Sequence, residues 1–421
     1  MEKLIEQLNA PTADERLEAA EEIKKGIDDG SIPAVLVGED VNNHIHTTYS
    51  FSPYSPAKAA YMAYAAGLKT AGIMDHDSVS GVHEFLKAAD IFGILSTAGV
   101  ECRCSVKNTK FADKNINNPD QKGVIYTALH GIPHQNVERV AEFFKPIGQA
   151  RERRNIKMTE KINALLFDFG ISLDYFEDIV PLSQKHDSGS VTERHLLCAL
   201  SLAVVDKFGK GAGTVEFLNN IGFPPSGKIL EFLSDESNPY YLYDLLGALK
   251  GSVIEKVYVE TDTDECPPVE SLIALGKEVG AITVYPYLGD VGSSVTGDKK
   301  AQKFEDDFLD ELFVTLKELD FNAIAYMPSR NTMEQLMRVR ALCDKFGFFQ
   351  ITGEDINTPR QSFICYAQRA PEFANLYSST MALIGHERAA TKDISKAMFS
   401  QWATNNYPSL EERIKYYSGL L

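Results

Sequence analysis

The sequence predicts an α/β protein built on a parallel sheet, open or closed into a barrel, with a helical block set into it. Three features carry that reading. Short apolar runs alternate with helical segments from Val35 to His130, and such alternation builds parallel strands joined by helices. The same alternation resumes after residue 250. Residues 137–250, between the two, are mostly helical in pattern.

The elements follow in order. Thr12 and Glu15 have the spacing of a capping box, which predicts a helix over 12–25 with Gly26 at its end. This leading segment is strongly acidic and is expected to be solvated. VLVGEDVNNHIHT reads as strand ending in a polar cluster. PAKAAYMAYAA is a helix with Pro56 near its start and Gly67 just past its end. KTAGIM is a buried strand that stops at Asp75-His76-Asp77, Val82 to Phe92 a helix, and GILSTAGVE a strand ending at Glu101. GVIYTAL is a strand ending at His130. After the helical block come the strands AITVYPY, FNAIAYM and FFQIT, with helices DELFVTLKELD and EQLMRVRALCDKFG between them. Gly347 marks the end of the last of these helices, and the last strand runs to Glu354-Asp355. The remaining residues look helical and loop-like.

Composition bounds the function. The 421 residues are 44% hydrophobic and 24% charged, as in a soluble globular protein of two or three units. That length supports a large core without disulfide or metal staples. Lys and Arg number 42 and Asp and Glu 59, a net charge of −17. Such a chain disfavours a broad nucleic-acid surface or a polybasic membrane patch, but not a pocket for one small phosphate ester. Six cysteines in a chain this long do not make a disulfide framework. The N-terminus lacks the apolar segment of a signal peptide, and no stretch of about 18 apolar residues is present to span a membrane. A cytoplasmic protein with reduced cysteines is expected.

The unusual polar residues fall at strand ends: His44 and His46, then Asp75 and His76, Glu101, His130 and Asp355. In an α/β barrel those ends form the active-site bowl. His-x-His on an extended segment turns both imidazoles to one side. A carboxylate from another strand then completes a divalent-metal geometry.

The order HIHTTYS, GLKTAGIMDHDSVSG, GVE, LH and GED, over roughly residues 38–365, resembles the PHP (polymerase and histidinol phosphatase) family of metal-dependent phosphoesterases. RERRNIKMTEKINALLFDFGI followed by SVTERHLLCAL resembles the helical insert of one branch of that family. That branch includes nucleoside 3′,5′-bisphosphate phosphatases and 5′-to-3′ exonucleases of short RNA. The resemblance implies a distorted (β/α)7 barrel with an inserted helical subdomain. It divides the chain into an N-terminal helical extension (1–37), a first barrel half (38–136), the insertion (137–250), a second half (251–365) and a C-terminal helical extension (366–421).

The resemblance also implies roles. His44, His46, Glu101 and Asp355 would hold one divalent metal (Mn, Zn, Fe or Mg), with Glu101 bridging to a second at His130, and His76 belonging to a third. Asp75 would orient an imidazole within the catalytic set of His76, His130 and Asp75. Arg194 and His195 match a phosphate-contacting pair. Three departures weaken this set. Tyr285 stands where the family has the His of a His-Pro pair, and Asn357 where it has the His of an Asp-x-His. The Asp that usually follows the first motif is missing from SFSPYSP, where Ser52 stands nearby. One tight metal, a weaker second and a lost third are therefore expected, with His76 left as an acid/base residue. Tyr285 and Asn357 are expected to line the substrate pocket, and Arg360 either to join them at the phosphate or to make a structural ion pair. Arg103, the RERR run at 151–154, His83, His134, His186 and His386 read as structural or solvated, and Phe373, Tyr377, Tyr416 and Tyr417 as packing.

The expected function is metal-dependent hydrolysis of a small phosphate monoester or short nucleotide. The alternative is a degenerate module that binds a phosphorylated ligand or partner without catalysis. The expected partner is a small phosphorylated substrate, not long nucleic acid or a membrane, and the oligomeric state is left open.

Overall fold

The computed structural model describes residues 1–291 and 303–421. Seven strands form one curled sheet in sequential order: β1 (Val41–Ile45), β2 (Thr70–His76), β3 (Leu95–Ser105), β4 (Val124–His130), β5 (Ile282–Pro286), β6 (Ala323–Ala325) and β7 (Phe349–Ile351). The two edges meet where Ile356, just past β7, bridges Ile45. There His46 N–H donates to the Ile356 carbonyl at 2.9 Å, and Ile356 N–H to that of His44 at 3.1 Å. The fold is thus an α/β half-barrel whose rim is drawn together beside the His-x-His motif.

The sheet is mixed and not wholly parallel, because β4 runs antiparallel to both β3 and β5. This corrects two expectations. β3 continues past Glu101 to Ser105, since β4 pairs along it from Gly99↔His130 to Ser105↔Val124. Glu101 is therefore mid-strand, and His130 ends a strand that points away from the other C-terminal ends. The segment Val35–Val37 is not strand, and Leu36 is 93% exposed.

Period-two alternation sorts the strand side chains into two layers. Ile73, Val100, Cys102, Leu129, Tyr285 and Ile324 join the cluster that packs on the outer helices. Met74, Ala128, Ile282, Val284, Phe349 and Ile351 face the other way and pack with Ala382, Leu383, Met398 and Tyr417. The C-terminal segment, expected only as a helical extension, thus fills the inner face of the sheet through the helix Ala374–Lys392. His386 Nε2 lies 3.1 Å from the Gly131 carbonyl, and its Nδ1 accepts from Met398 N–H. Gly131 is required there, because a Cβ would meet the His386 ring at 2.7 Å. His134, expected to be solvated, pairs with Glu387 at 2.8 Å. The other oxygen of Glu387 accepts from Thr97 and Ala98 N–H at the start of β3.

The N-terminal segment is also more integrated than its acidity suggested. The capping box of Thr12 and Glu15 is present, but the helix Ala13–Asp28 runs through Gly26. Leu17, Ala20 and Ile23 are buried in the outer core. The buried Arg16 forks onto Glu84 with bonds of 2.8 and 2.6 Å. The helix Val137–Leu165 serves two cores: Val140, Phe144 and Ile147 pack on the barrel, whereas Met158 and Ile162 join Leu196, Leu200, Tyr241 and Leu245 in a separate cluster. No helix among the described residues is long and apolar enough to cross a membrane.

Because the C-terminal helix supplies the inner core, Leu383→Ala should cost about 2–5 kcal/mol of stability by leaving a cavity. Chemical denaturation measures this. An unchanged midpoint would show that the helix is only loosely docked.

Candidate metal centre

His44 lies at the end of β1 and His46 just past it, and the two-residue spacing turns both rings inward. On β2 and β3, His76 lies in register with Glu101. The four side chains meet. The ligand atoms of His44, His46 and Glu101 all lie within 4.8 Å of one another. Nε2 of His46 is 3.2 Å from Nε2 of His44, 3.3 Å from Glu101 and 3.2 Å from Asp355. Nδ1 of His76 is 3.0 Å from Glu101.

A chain of hydrogen bonds fixes the orientation of His46. The Ser50 hydroxyl donates to Asp75 at 2.5 Å, so its oxygen is left to accept from His46 Nδ1 at 3.1 Å. Thr47 holds the same carboxylate through its N–H and hydroxyl. With Nδ1 committed to Ser50, Nε2 is the ring atom turned to the cluster, the one a metal-bound imidazole would offer. Asp75 thus lies behind His46, away from the substrate face, and orients the ring through Ser50. The sequence reading missed Ser50, since a lone serine carries no spacing signal.

Electrostatics points the same way. Burial opposes charge on His46, but its bonds to Asp355 and Glu101 prevail and raise its pKa to about 10. Burial would raise Glu101, yet the imidazoles of His76, His44 and His46 gathered around it hold it well below the carboxylate range. Asp355 is likewise held low against burial by His46, His44 and Arg194. A proton on His46 balances the two carboxylates where a divalent cation would do so better. His130 is 2% exposed, its Nδ1 has no hydrogen-bond partner, and burial lowers its pKa to about 3. Two imidazoles, a shared carboxylate, a second carboxylate and an orphaned ring nitrogen fit a divalent ion.

The remaining candidates divide. Arg194 makes no hydrogen bond or ion pair among the described residues, and its charge acts on Asp355. His195 is buried and caps its own helix, with Nδ1 accepting from Thr192 N–H at 2.9 Å. Arg360, weighed for the phosphate, instead makes the structural ion pair: it forks onto Asp244 at 2.7 and 2.8 Å and stacks on Phe232. Tyr285, expected to line the pocket, is fully buried on the outer face of the sheet and donates to Glu305 at 3.0 Å. Asn357 sits at the site, donating to Asp355 Oδ1 at 2.6 Å.

The RERR run is not a solvated face. Arg151 and Arg154 are buried with Arg103 against Asp77, Glu193 and Glu265. Glu265 alone accepts from Arg103 at 2.7 Å, Arg151 at 3.1 Å and Arg154 at 2.6 Å. This network joins the bowl wall to the start of the helix Glu193–Phe208, which carries Arg194. Arg153, between them, is exposed.

No protein-family model matches the chain, and no curated protein matches it. Solved structures do. A "putative metal-dependent phosphoesterase" from Bifidobacterium adolescentis is similar at a TM-score of 0.51 and 18% identity, over 77% of this chain and 92% of that one. An amidohydrolase from Chromobacterium violaceum, solved with bound sulfate and no metal, gives a TM-score of 0.49 and 16% identity over 78% and 90%. The first likeness bears on the fold, and agrees with the curled seven-stranded sheet.

If the Asp75–Ser50 chain orients a metal ligand, Ser50→Ala should weaken divalent-metal affinity about 10–100-fold while the protein stays folded. Calorimetric titration with Mn²⁺ or Zn²⁺ measures this, and unchanged affinity would remove Ser50 from the site.

Proposed function

We propose that the chain is a metal-dependent phosphoesterase acting on a small phosphate monoester or a short nucleotide. The observation that carries the proposal is the meeting of His44, His46, Glu101 and Asp355 beside Arg194, a guanidinium with no carboxylate bonded to it. Those four residues would hold the ion, with Glu101 and the free Nδ1 of His130 available to a second. A bound divalent ion supplies Lewis acidity toward a phosphoryl oxygen and lowers the pKa of water.

The side chains define the rest. Arg194 supplies a planar donor set for phosphate oxygens and offsets the charge that grows in the transition state. His195 has spent Nδ1 on Thr192, so only its Nε2 could face a ligand. His76 is held near a pKa of 3, chiefly by burial, and is neutral at pH 7. Its Nδ1 lies against Glu101 and must carry the proton, which leaves Nε2 to accept one. The net charge of −17 favours a small anion over a long polyanion.

The second reading, binding without turnover, is favoured by Asn357. Its amide occupies the oxygen of Asp355 that also faces His46. One experiment separates the two: a screen of small phosphoesters with added Mn²⁺ or Zn²⁺, scored for released phosphate. Turnover should appear, vanish in His46→Ala, and fall about 100-fold or more in kcat/KM in Arg194→Ala. Ligand binding with no turnover under any metal would establish the second reading.

A further inference from the structure

Among the described residues five arginines are nine-tenths buried: Arg16, Arg103, Arg151, Arg154 and Arg413. Four of them are paired with carboxylates. Arg413 is the exception among the described residues. It is 9% exposed and its guanidinium lies 5.1 Å from the centre of the Phe399 ring; its Nε is buried with no hydrogen-bond partner, and the side chain's one hydrogen bond is a long one, 3.4 Å from Nη1 to the Met398 carbonyl. Burial lowers its pKa, and only Tyr417 acts in the other direction. Stripping water from a guanidinium without supplying a counter-charge is costly, and native proteins seldom leave one so.

Arg413 lines a cleft of about 390 Å³ between the C-terminal segment and the barrel. The cleft wall includes residues just before β5, β6 and β7, such as Ala281, Asn322 and Gly347. It therefore opens at the N-terminal ends of these parallel strands, opposite the metal centre. Lys277 and Lys317 also line it, whereas the lining hydroxyls of Ser400 and Thr404 already donate to backbone carbonyls. Its one acidic lining residue is Asp320, which already pairs with Lys277 at 2.6 Å. Three cations thus face one carboxylate, in a chain of net charge −17.

We infer that this cleft is a second ligand site, separate from the metal centre, that binds a small phosphate-type dianion through Arg413, Lys277 and Lys317. A guanidinium with two ammonium groups on the same cleft is the chemistry that holds tetrahedral oxyanions. The inference does not depend on whether the metal centre is catalytic.

The test is calorimetric titration of the full chain with inorganic phosphate in EDTA, so that no metal contributes. Saturable binding is expected. It should weaken tenfold or more in Arg413→Met and several-fold in Lys317→Glu, and persist in Arg194→Ala. Circular dichroism reports whether Arg413→Met folds. If it does not, the exposed Lys317→Glu decides alone. No saturable binding to the native chain would overturn the inference. So would phosphate affinity that is lost in Arg194→Ala, or that is unchanged in the folded cleft variants.

Discussion

The arrangement of the site depends on charges buried behind it. Asp77 leaves the end of β2, Arg103 lies two residues beyond Glu101 on β3, and both belong to the wall of the bowl. Arg151 and Arg154 come from the long helix Val137–Leu165, Glu265 from the loop that returns to the barrel, and Glu193 from the first turn of the next helix. Desolvating so many ions is tolerable only because nearly every charge has two or more partners. Removing one would strand the rest, at about 3–5 kcal/mol for a typical buried pair. Glu193 is adjacent in sequence to Arg194. The network that pins Glu193 therefore also sets where Arg194 emerges, and its charge reaches Asp355. In this way the helical block between the two runs of strands becomes part of the wall of the candidate site.

The parts of this design that were legible in the sequence are those set by short-range periodicity. His-x-His must place two rings on one face of a strand. The apolar runs before Asp75 and Glu101 had to be buried strands, so the polar residues that end or interrupt them had to converge. Helix ends were equally legible where capping chemistry marked them, as at Thr12 with Glu15 and at Gly347, which takes φ of 70°. Strand direction was not. GVIYTAL reads the same whether it runs up or down the sheet, and only pairing with β3 and β5 reveals the reversal. Parity at β5 was equally hidden. Ile282 and Val284 face inward, so Tyr285 must face outward, although its position in the motif suggested a ligand.

Long-range partners account for the remaining differences. Nothing near Gly131 in sequence announces His386, and nothing near Thr97 announces Glu387. Both contacts cross more than 250 residues. The C-terminal segment looked like an appendage because its helices are locally ordinary. Its role becomes visible only as the apolar layer that the inner face of a curled, incompletely closed sheet needs. Arg151 and Arg154 were misread for the same reason, since a run of four charged residues on a helix is usually solvated and their carboxylate partners lie far along the chain.

Charge pairing also decides which arginines can meet a phosphate. Arg103, Arg151, Arg154 and Arg360 all lie near enough to the bowl to be considered, and each is neutralised by a carboxylate. A guanidinium already forked onto Asp or Glu offers an incoming phosphate little, because binding would have to break a good ion pair and leave a buried carboxylate facing the new anion. Arg194 has no such partner among the described residues, which is what recommends it for the phosphate role proposed for it. The same criterion singles out Arg413 at the other end of the barrel. In a chain with a surplus of acidic groups, the informative cations are those left without a carboxylate. This one has such a cation at each end of its sheet.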